Sequence, residues 1–432
     1  MKKLLSIVLS TVLALSVLAA CGSTENANTD SDAAVTEETA AVEETAEAAE
    51  DTAAASDVKI GVVLVGDENE GYTYAHIAGI KAAADAVGIP QDNIIWKYSI
   101  PEDETCYTSC VDLVDQGCVA IFSNSYGHQS FTQQAAAEYP DVQFVAMTGD
   151  TAARSGLDNF SNAFTKVYES RFVSGVVAGL KVKELVESGA LADNNFDADG
   201  NVKIGYVGAF PYAEVVSGYT AFFLGIKSVY EQVSMEVTYT NSWFSIAAEG
   251  AAADALMADG CVIIGQHADS TGAPTAVEAA LTSGKVAYSV GYNVDMTNVA
   301  PTAALTSATN NWEVYYEVAF KAVVAGEKIP TNWAEGYDQA AVGITVLGQS
   351  VAEGTADKVA EVEAAIKDGS LHVFDTERFT VGGAHLDSYL VDMNGDFVND
   401  DEEAIWDGFF HESELRSAPS FDIRIDGITE LN

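Results

Sequence analysis

Basic residues are scarce in this chain, and their scarcity excludes several kinds of partner. Among 432 residues there are 20 Lys and Arg against 65 Asp and Glu, which gives a formal net charge of −45 at pH 7. A field of that sign repels nucleic acid and anionic membrane surfaces. We therefore expect no binding of nucleic acid and no membrane attachment through surface charge.

Catalytic motifs are also missing from the sequence. It contains no phosphate-binding Gly-Lys-Ser/Thr loop, no Gly-x-Gly-x-x-Gly after a predicted strand and no Gly-x-Ser-x-Gly turn. The six His residues are scattered, and His411-Glu412-Ser413-Glu414 lacks the second His of a zinc-binding helix. The sequence therefore predicts a protein that is not an enzyme and that carries no cofactor.

Cysteine is rare, with five residues in the chain. Cys118 and Cys261 occupy equivalent places at the start of two predicted buried strands, and we interpret them as small core residues. Cys106 and Cys110 share one face of a predicted helix, where a strained local disulfide or two free thiols would fit, and free thiols are favoured.

Only one long hydrophobic run is evident, from Leu4 to Leu18, and it follows Lys2 and Lys3. Residues 1–20 are therefore predicted to be a signal peptide, because the run is too short to span a membrane comfortably. The sequence Leu18-Ala19-Ala20-Cys21 resembles the bacterial lipobox. That resemblance implies a lipidated Cys21 that holds the chain on the extracytoplasmic face of the cell membrane. The alternative is an ordinary signal peptide with an incidental Cys.

The segment after the leader has no aromatic residue. Residues 21–57 are rich in Ala, Thr, Glu, Asp and Ser, a composition that buries too little surface to fold. We expect a disordered acidic tether that self-repulsion keeps extended. A helical Ala/Glu stalk is the alternative, with the same role of holding a folded part away from the membrane.

The rest of the chain is organised by an internal repeat. Val58-Lys59-Ile60-Gly61 returns as Val202-Lys203-Ile204-Gly205, and the segment LVDQGCVAI at 113–121 returns as LMADGCVII at 256–264. A further strand-like run starts 84 residues into each copy, at Val142 and Val286. Such self-similarity indicates one structural unit built twice, and hence two lobes with a cleft between them.

Each copy alternates apolar strand-like runs with amphipathic helical segments, which is typical of a parallel sheet with helices on both faces. We therefore predict an α/β fold of two doubly wound parallel-sheet lobes joined by a hinge. The first lobe is assigned residues 58–162 with about 301–330, and the second residues 163–300 with about 331–347. Residues 348–432 form a C-terminal extension.

Ligands of such sheets bind beyond the carboxyl ends of the strands, which here are the loops at Tyr72, Tyr126 and Thr148 and their second-lobe counterparts. Aromatic rings beside fixed acceptors suit a flat polar heterocycle, because stacking a base on an aromatic ring contributes ~1–3 kcal/mol. A single Trp or Tyr is more often a core residue, so the hypothesis depends on the clustering at strand ends. The predicted ligand-binding residues are Tyr72, Tyr74, Tyr126, His128, Phe210, Glu214, Trp243, Asp269, Asn293, Asp295 and Trp312.

Over about Val58 to Val346 the sequence resembles the basic membrane protein family, lipoprotein substrate-binding proteins of ABC transporters, several of which bind purine nucleosides or bases. The resemblance is carried by the segments 138–144, 168–172, 204–208, 241–244 (Asn-Ser-Trp-Phe), 266–270 (Gln-His-Ala-Asp-Ser) and 306–307. It implies a type I periplasmic-binding-protein-like fold and an ABC permease as partner.

The sequence departs from the nucleoside-binding members of that family at three places. The first loop reads Glu70-Gly71-Tyr72-Thr73-Tyr74 in place of an Asp-Lys-Ser-Phe-Asn-like sequence, Gly291-Tyr292-Asn293 replaces Gly-Val-Asp, and Asn310 replaces a Lys. The chain is similar to the branch with Trp-Phe and Gln-His-x-Asp-Ser loops, a resemblance that implies a bare purine base as ligand, and base and nucleoside both stay open as ligands.

The resemblance implies capture of a purine base or nucleoside by closure of the two lobes and its delivery to an ABC permease. One alternative is a lipid-anchored sensor or receptor for another small solute, or an adhesin. The other is an enzyme that processes nucleosides, which the missing motifs disfavour.

The extension contains an acidic segment with the spacing of a weak calcium loop. Asp392, Asn394, Asp396, Asp400 and Glu403 occupy ligand positions, but the Gly that such a loop needs at its sixth position is fourth. A solvated acidic turn is therefore favoured over a calcium site.

Overall fold

Two β-sheets carry the duplicated sequence. The computed structural model describes residues 55–393 and 398–432, which belong to one structural unit. Within those residues no helix combines the length and the apolar character needed to cross a membrane. The signal peptide, Cys21 and all but the last three residues of the predicted tether lie outside the described residues.

The first lobe is built from the first copy of the repeat. Strands β1, β3 and β5 are buried along their whole length, as expected for a parallel sheet covered on both faces. The elements in chain order are β1 (Ile60–Val63), α1 (Gly71–Val87), β2 (Ile94–Lys97), α2 (Glu104–Asp115), β3 (Ala120–Ser123), α3 (Gln129–Glu138), β4 (Gln143–Met147), α4 (Ala152–Ser155) and β5 (Phe160–Thr165).

The second lobe repeats this plan after a long helix. Its elements are α5 (Val167–Glu187), β6 (Val202–Gly208), α6 (Ala213–Lys227), β7 (Val233–Tyr239), α7 (Ile246–Asp259), β8 (Ile263–His267), α8 (Gly272–Thr282), β9 (Tyr288–Tyr292) and β10 (Ala304–Asn310). Helix α7 begins after Ser245, whose hydroxyl accepts a hydrogen bond from the Ala248 amide, and it ends at Gly260, where φ is 107°. The predicted α/β fold with parallel sheets in two lobes is confirmed.

The chain then returns through both lobes, with boundaries that differ from the predicted ones. Strand β10 falls within 301–330, which we assigned to the first lobe, yet it pairs with β9 in the second sheet. Helix α9 (Trp312–Val324) does pack on α1 in the first lobe, and β11 (Asn332–Glu335) pairs with β5 there. Strand β12 (Val342–Ile344) goes back to β10. The 331–347 segment is therefore divided between the lobes, because Trp333 fits the first-lobe core while Val342 fits the second.

Close approach of α5 and α6 explains two glycines of the second lobe. A Cβ at Gly175 would lie 2.2 Å from the Phe222 carbonyl oxygen, and one at Gly225 would lie 2.1 Å from the Phe172 carbonyl oxygen. Only glycine allows the two backbones to come this near each other.

The extension folds onto the second lobe. It contains α10 (Thr355–Lys367), β13 (Leu390–Val391), β14 (Glu402–Glu403), β15 (Ile405–Trp406), β16 (Phe409–Phe410) and β17 (Ile428–Glu430). Phe374, Phe410 and Phe421 belong to the same apolar core as the strands of the second sheet. Strand β17 pairs in parallel with β7, so that the second sheet has the order β12-β10-β9-β8-β6-β7-β17 and the first β11-β5-β4-β3-β1-β2.

The four described cysteines are buried, and none of them forms a disulfide within the described chain. Cys118 and Cys261 precede β3 and β8 and are each 2% exposed, in agreement with their interpretation as core residues. Cys106 and Cys110 are two free thiols on helix α2, the favoured alternative. A hydrogen bond with the neighbouring Cys106, followed by burial, raises the pKa of the Cys110 thiol well above its usual range, so it stays protonated.

Candidate ligand-binding site

A cavity lies where the carboxyl ends of the strands in the two lobes face each other. It measures about 450 Å³ including the part open to solvent. The first lobe contributes Val65, Glu70, Tyr72, Asn124, Ser125, Tyr126 and Thr148, and the second contributes Glu214, Trp243, Asp269 and Tyr292. This is the position that strand polarity predicts for a ligand of such sheets.

Aromatic rings from both lobes form one part of the wall. The Tyr72 hydroxyl donates to the Asn124 carbonyl oxygen, which fixes its ring in the first lobe. Across the cleft, Trp243 meets the ring of Phe210 edge-on at a centroid distance of 5.3 Å, and Phe210 stacks on Tyr212 at 5.2 Å. The rings are thus held in place by their neighbours before any ligand arrives, which lowers the ordering cost of binding.

Carboxyl groups form the other part of the wall. Burial raises the pKa of Glu214 to about 7, against the opposing effect of Arg171. Burial, followed by the nearby carboxylates of Glu70 and Glu249, raises the pKa of Asp269 well above its usual range. Burial also raises the pKa of Glu70. Three acids with raised pKa values therefore face one cavity, and Glu214, with a pKa of about 7, is either ionised or protonated near neutral pH, so it can accept or donate a hydrogen bond.

Each acid is oriented by a neighbour. Asn293 Nδ2 donates to Asp269 Oδ1 at 2.9 Å, and the hydroxyl of Thr73 donates to Glu70. Glu214 Oε1 lies 3.2 Å from His267 Nε2. Burial and then the charge of Arg171 lower the pKa of His267 well below its usual range, so the imidazole is neutral and this contact is a hydrogen bond, not an ion pair.

Arg171 is the cation beneath this wall. It is 2% exposed, donates to the Gln266 carbonyl oxygen at 2.6 Å, and places its guanidinium carbon 3.7 Å from the centroid of the Tyr292 ring. Its Nε and Nη2 atoms find no hydrogen-bond partner among the described residues. A buried positive charge next to several acids offsets part of the cost of burying them.

The structure brings five of the predicted residues to the cavity, namely Tyr72, Tyr126, Glu214, Trp243 and Asp269. Three more lie directly behind it. Asn293 holds Asp269, Phe210 supports Trp243, and Trp312 stacks on His76 at 4.3 Å and meets Tyr72 edge-on at 6.4 Å.

Three predicted residues lie away from the cavity. Tyr74 is 50% exposed, because helix α1 begins at Gly71 and places Tyr72 and Tyr74 about 200° apart around its axis. His128 is fully buried and pairs with the Ile100 carbonyl oxygen at 2.9 Å. Asp295 accepts a hydrogen bond from the Thr297 amide at 2.8 Å and stabilises an exposed turn.

Several lining residues were not among the predicted ones. Glu70, Asn124 and Ser125 are short polar residues in loops, and their composition alone did not distinguish them from turn residues. Thr148 does carry a structural signal, since its φ of 61° is unusual for a residue other than glycine, and the predicted Asn293 behind the cavity has a similar φ of 62°. Such strain is often retained at binding sites.

The described residues contain no group of three or more His, Cys, Asp or Glu side chains that could hold a metal ion. Of the weak calcium candidates, Asn394 and Asp396 lie outside the described residues. Glu403 accepts hydrogen bonds from the Tyr389 and Ile405 amides at 2.8 Å each, so it stabilises a turn of the extension.

Two lobes with a polar and aromatic cavity between them define the class of solute-binding proteins. The chain belongs to the Bmp family, described as ABC transporter substrate-binding protein PnrA-like, whose model matches residues 58–373. It is a substrate-binding protein of an ABC transporter, and the resemblance noted in the sequence is confirmed.

Named relatives and solved structures agree with this class. A purine-binding protein of Brucella abortus is 30% identical over 73% of this chain and 83% of its own length. A Haloferax volcanii protein, named as a proposed ABC transporter glucose-binding protein, is 28% identical over 68% of this chain and 71% of its own. A solute-binding protein from Aeropyrum pernix K1 shares the fold, with a TM-score of 0.60, 16% identity, and coverage of 76% of this chain and 94% of that one.

Proposed function

We propose that the chain captures a purine base or nucleoside between its lobes and delivers it to the permease of an ABC transporter. The observation that carries the proposal is the pairing of aromatic rings from both lobes with three carboxyl groups in one cavity. Stacking on aromatic rings stabilises a planar base by about 1–3 kcal/mol per base. The name of the Brucella abortus relative supports the same ligand class.

The polar edge of a purine fits the acidic wall. The ring N–H and amino groups of a purine would donate hydrogen bonds to ionised Asp269 or Glu214. The unprotonated ring nitrogens would accept hydrogen bonds from Asp269 or Glu214 when these carboxyl groups are protonated. A cavity that buries acids also discriminates strongly, because a buried polar group without a partner costs about 1–3 kcal/mol. Solutes that lack donors at these positions should therefore bind weakly.

A monosaccharide is the second candidate. Carboxyl groups beside aromatic rings also suit sugar hydroxyls, and the name of the Haloferax volcanii relative points to glucose. The two candidates differ in shape. Stacking on Trp243 and Tyr126 stabilises a planar base more than a puckered sugar ring.

Isothermal titration calorimetry with adenine, guanine, hypoxanthine, their nucleosides and glucose tests the proposal. We expect binding of at least one purine and none of glucose. Tyr72→Ala should weaken that binding at least about tenfold, the equivalent of about 1.4 kcal/mol. Tyr74→Ala is the matched control, because its ring lies on the same helix but outside the cavity. Binding of glucose alone, or equal losses in both variants, would contradict the proposal.

We further propose that Cys21 carries the lipid that anchors the protein to the extracytoplasmic face of the membrane. The lipobox-like sequence before Cys21 supports this. Cells fed labelled palmitate should yield a labelled protein in the membrane fraction, and Cys21→Ser should remove the label and release the chain. A labelled Cys21→Ser variant would show that the lipid is attached elsewhere.

Delivery to a permease separates transport from sensing and from catalysis. Deleting the gene should abolish uptake of a labelled purine if the chain serves transport. Unchanged uptake with an altered transcriptional response would favour a sensor. Chromatography of a nucleoside incubated with the protein should recover it intact, and the appearance of free base would indicate an enzyme.

A further inference from the structure

The extension reaches beyond the family match and moves with the second lobe. The family model ends at residue 373, whereas the extension continues to residue 432. Phe374 of the extension packs against Tyr168 of α5 with a centroid distance of 5.2 Å at the second-lobe core, and β17 extends the second sheet. These contacts fix the extension to that lobe as one rigid part.

From this position the extension touches the first lobe. Arg416 Nη1 lies 3.7 Å from Asp150 Oδ2, in the loop that leaves β4, and their side chains are only 12% and 13% exposed. In the opposite direction, Arg154 of α4 donates through Nη1 to the Met393 carbonyl oxygen at 2.7 Å. Two arginines therefore connect the lobes from the outside of the cleft.

These contacts enclose a second, outer cavity next to the ligand cavity. It measures about 1360 Å³ including its open part, and it shares Tyr126, Thr148 and Glu214 with the inner one. The chain has only five arginines, and three of them, Arg154, Arg416 and Arg424, line this outer cavity. In a chain with so few cations, this concentration at one place needs a physical reason.

The polar groups of the outer cavity are largely bonded to one another. Asp150 accepts hydrogen bonds from Gln129 Nε2 at 3.0 Å and from the Tyr126 hydroxyl at 3.2 Å, besides facing Arg416. Asp422 accepts from the Tyr389 hydroxyl at 2.7 Å. The arrangement therefore serves to hold the extension against the first lobe, and not to bind a second solute.

We propose that Arg416 is a positioning residue through which the extension clamps the lobes over the occupied cleft and slows the release of the ligand. The inference rests on the proposed function in that a solute is bound by closure of the lobes. Opening the cleft separates Arg416 from Asp150, so their attraction belongs to the closed state alone and favours it. Truncating one partner of such a mostly buried pair acts chiefly on the dissociation rate.

Stopped-flow measurement of dissociation tests the clamp, with adenine and adenosine as probes. Arg416→Gln should release the probe about tenfold faster with little change in the association rate. Asp150→Asn should do the same, and the double variant should be no faster than either single one. Arg424→Gln is the matched control, because Arg424 lines the same cavity but pairs with Glu430 of the extension itself. Its release rate should equal that of the wild type.

An unchanged rate in Arg416→Gln, an equal effect in Arg424→Gln, or strictly additive effects of Arg416→Gln and Asp150→Asn would overturn the clamp. A melting temperature of ligand-free Arg416→Gln equal to that of the wild type separates the clamp from a general loss of stability.

A second measurement needs no ligand, so it distinguishes failure of the clamp from failure of the purine proposal. Spin labels on cysteines introduced at the exposed Glu68 of the first lobe and Asn298 of the second report the distance between the lobes. A fraction of the ligand-free wild type should show the closed distance, and Arg416→Gln should lower that fraction and shift the distribution towards longer distances. Equal distributions, or a wild type without the closed distance, would overturn the clamp whether or not a purine binds.

Discussion

Glu214 should make the protein less stable as the pH rises, and replacement by Gln should remove that effect. Burial raises the pKa of this carboxyl from 4.5 to about 7 in the folded chain. Between those two values the folded state holds the proton while the unfolded state has lost it. The free energy of unfolding therefore falls as the pH rises through that interval. The stability that protonated Glu214 contributes to the folded state is fully present below pH 4.5 and is lost once the pH exceeds the folded pKa of about 7.

The size of the effect follows from the shift. The difference between 4.5 and about 7 corresponds to about 3 kcal/mol, at about 1.4 kcal/mol per pKa unit. Gln has the shape of the protonated carboxyl and cannot ionise. Glu214→Gln should therefore be as stable as the wild type at about pH 4 and more stable by about 3 kcal/mol at about pH 8.

Urea unfolding at the two pH values measures this difference. The comparison must be made between variant and wild type, because burial also raises the pKa of Glu169 and of Glu412 to about 7, and both remain in the variant. Glu68→Gln, in an exposed loop, serves as the control, and its small effect on the free energy of unfolding should be the same at both pH values. A difference between Glu214→Gln and wild type that is the same at both pH values would refute the reasoning.

Two further predictions concern packing. Gly175→Ala should destabilise the protein by about 1–3 kcal/mol, because the new Cβ would lie 2.2 Å from the Phe222 carbonyl oxygen. Gly250→Ala is the control and should not change the stability measurably, because the nearest atom to its new Cβ is 3.5 Å away. Equal unfolding midpoints of the two variants in urea would contradict the close approach of α5 and α6. Phe421→Ala should cost about 3–5 kcal/mol because it empties a buried ring site in the second lobe. Leu431→Ala, at a 52% exposed position, should cost little. A small loss in Phe421→Ala would mean that the extension is not part of that core.

The duplicated sequence predicts both lobes because each copy repeats the order of strand and helix, and periodic burial is a strong local signal. The assignment of β10 and β11 to lobes was beyond such reasoning. Strand β10 pairs with β9 and stays in the second sheet, and the chain crosses to the first lobe only after it. The contacts of Trp333 with the first-lobe core decide where β11 belongs. Pairing between strands distant in the chain is not encoded by either strand alone.

In the candidate site too, the features set by local sequence were predicted, and those set by contacts between distant parts of the chain were not. The positions of the strand ends located the cavity and three of the four aromatic residues that line it, all but Tyr292. The error at Tyr74 arose from placing it in the first loop together with Tyr72, whereas α1 begins at Gly71 and turns Tyr74 outwards. The role of Arg171 could not be foreseen, because a helical Arg reveals its burial under Tyr292 only once α5 is packed against the second sheet.

The three passages of the chain between the lobes have a consequence for how the protein is made. The first sheet lacks its edge strand until residues 332–335 have been synthesised, and the second lacks one until residues 428–430 follow. Although the gene records a duplication, neither half encodes a unit that could mature by itself. Synthesis must reach residue 335 before the first sheet is complete and residue 430 before the second is, so a stop codon late in the gene would leave the second sheet without its edge strand.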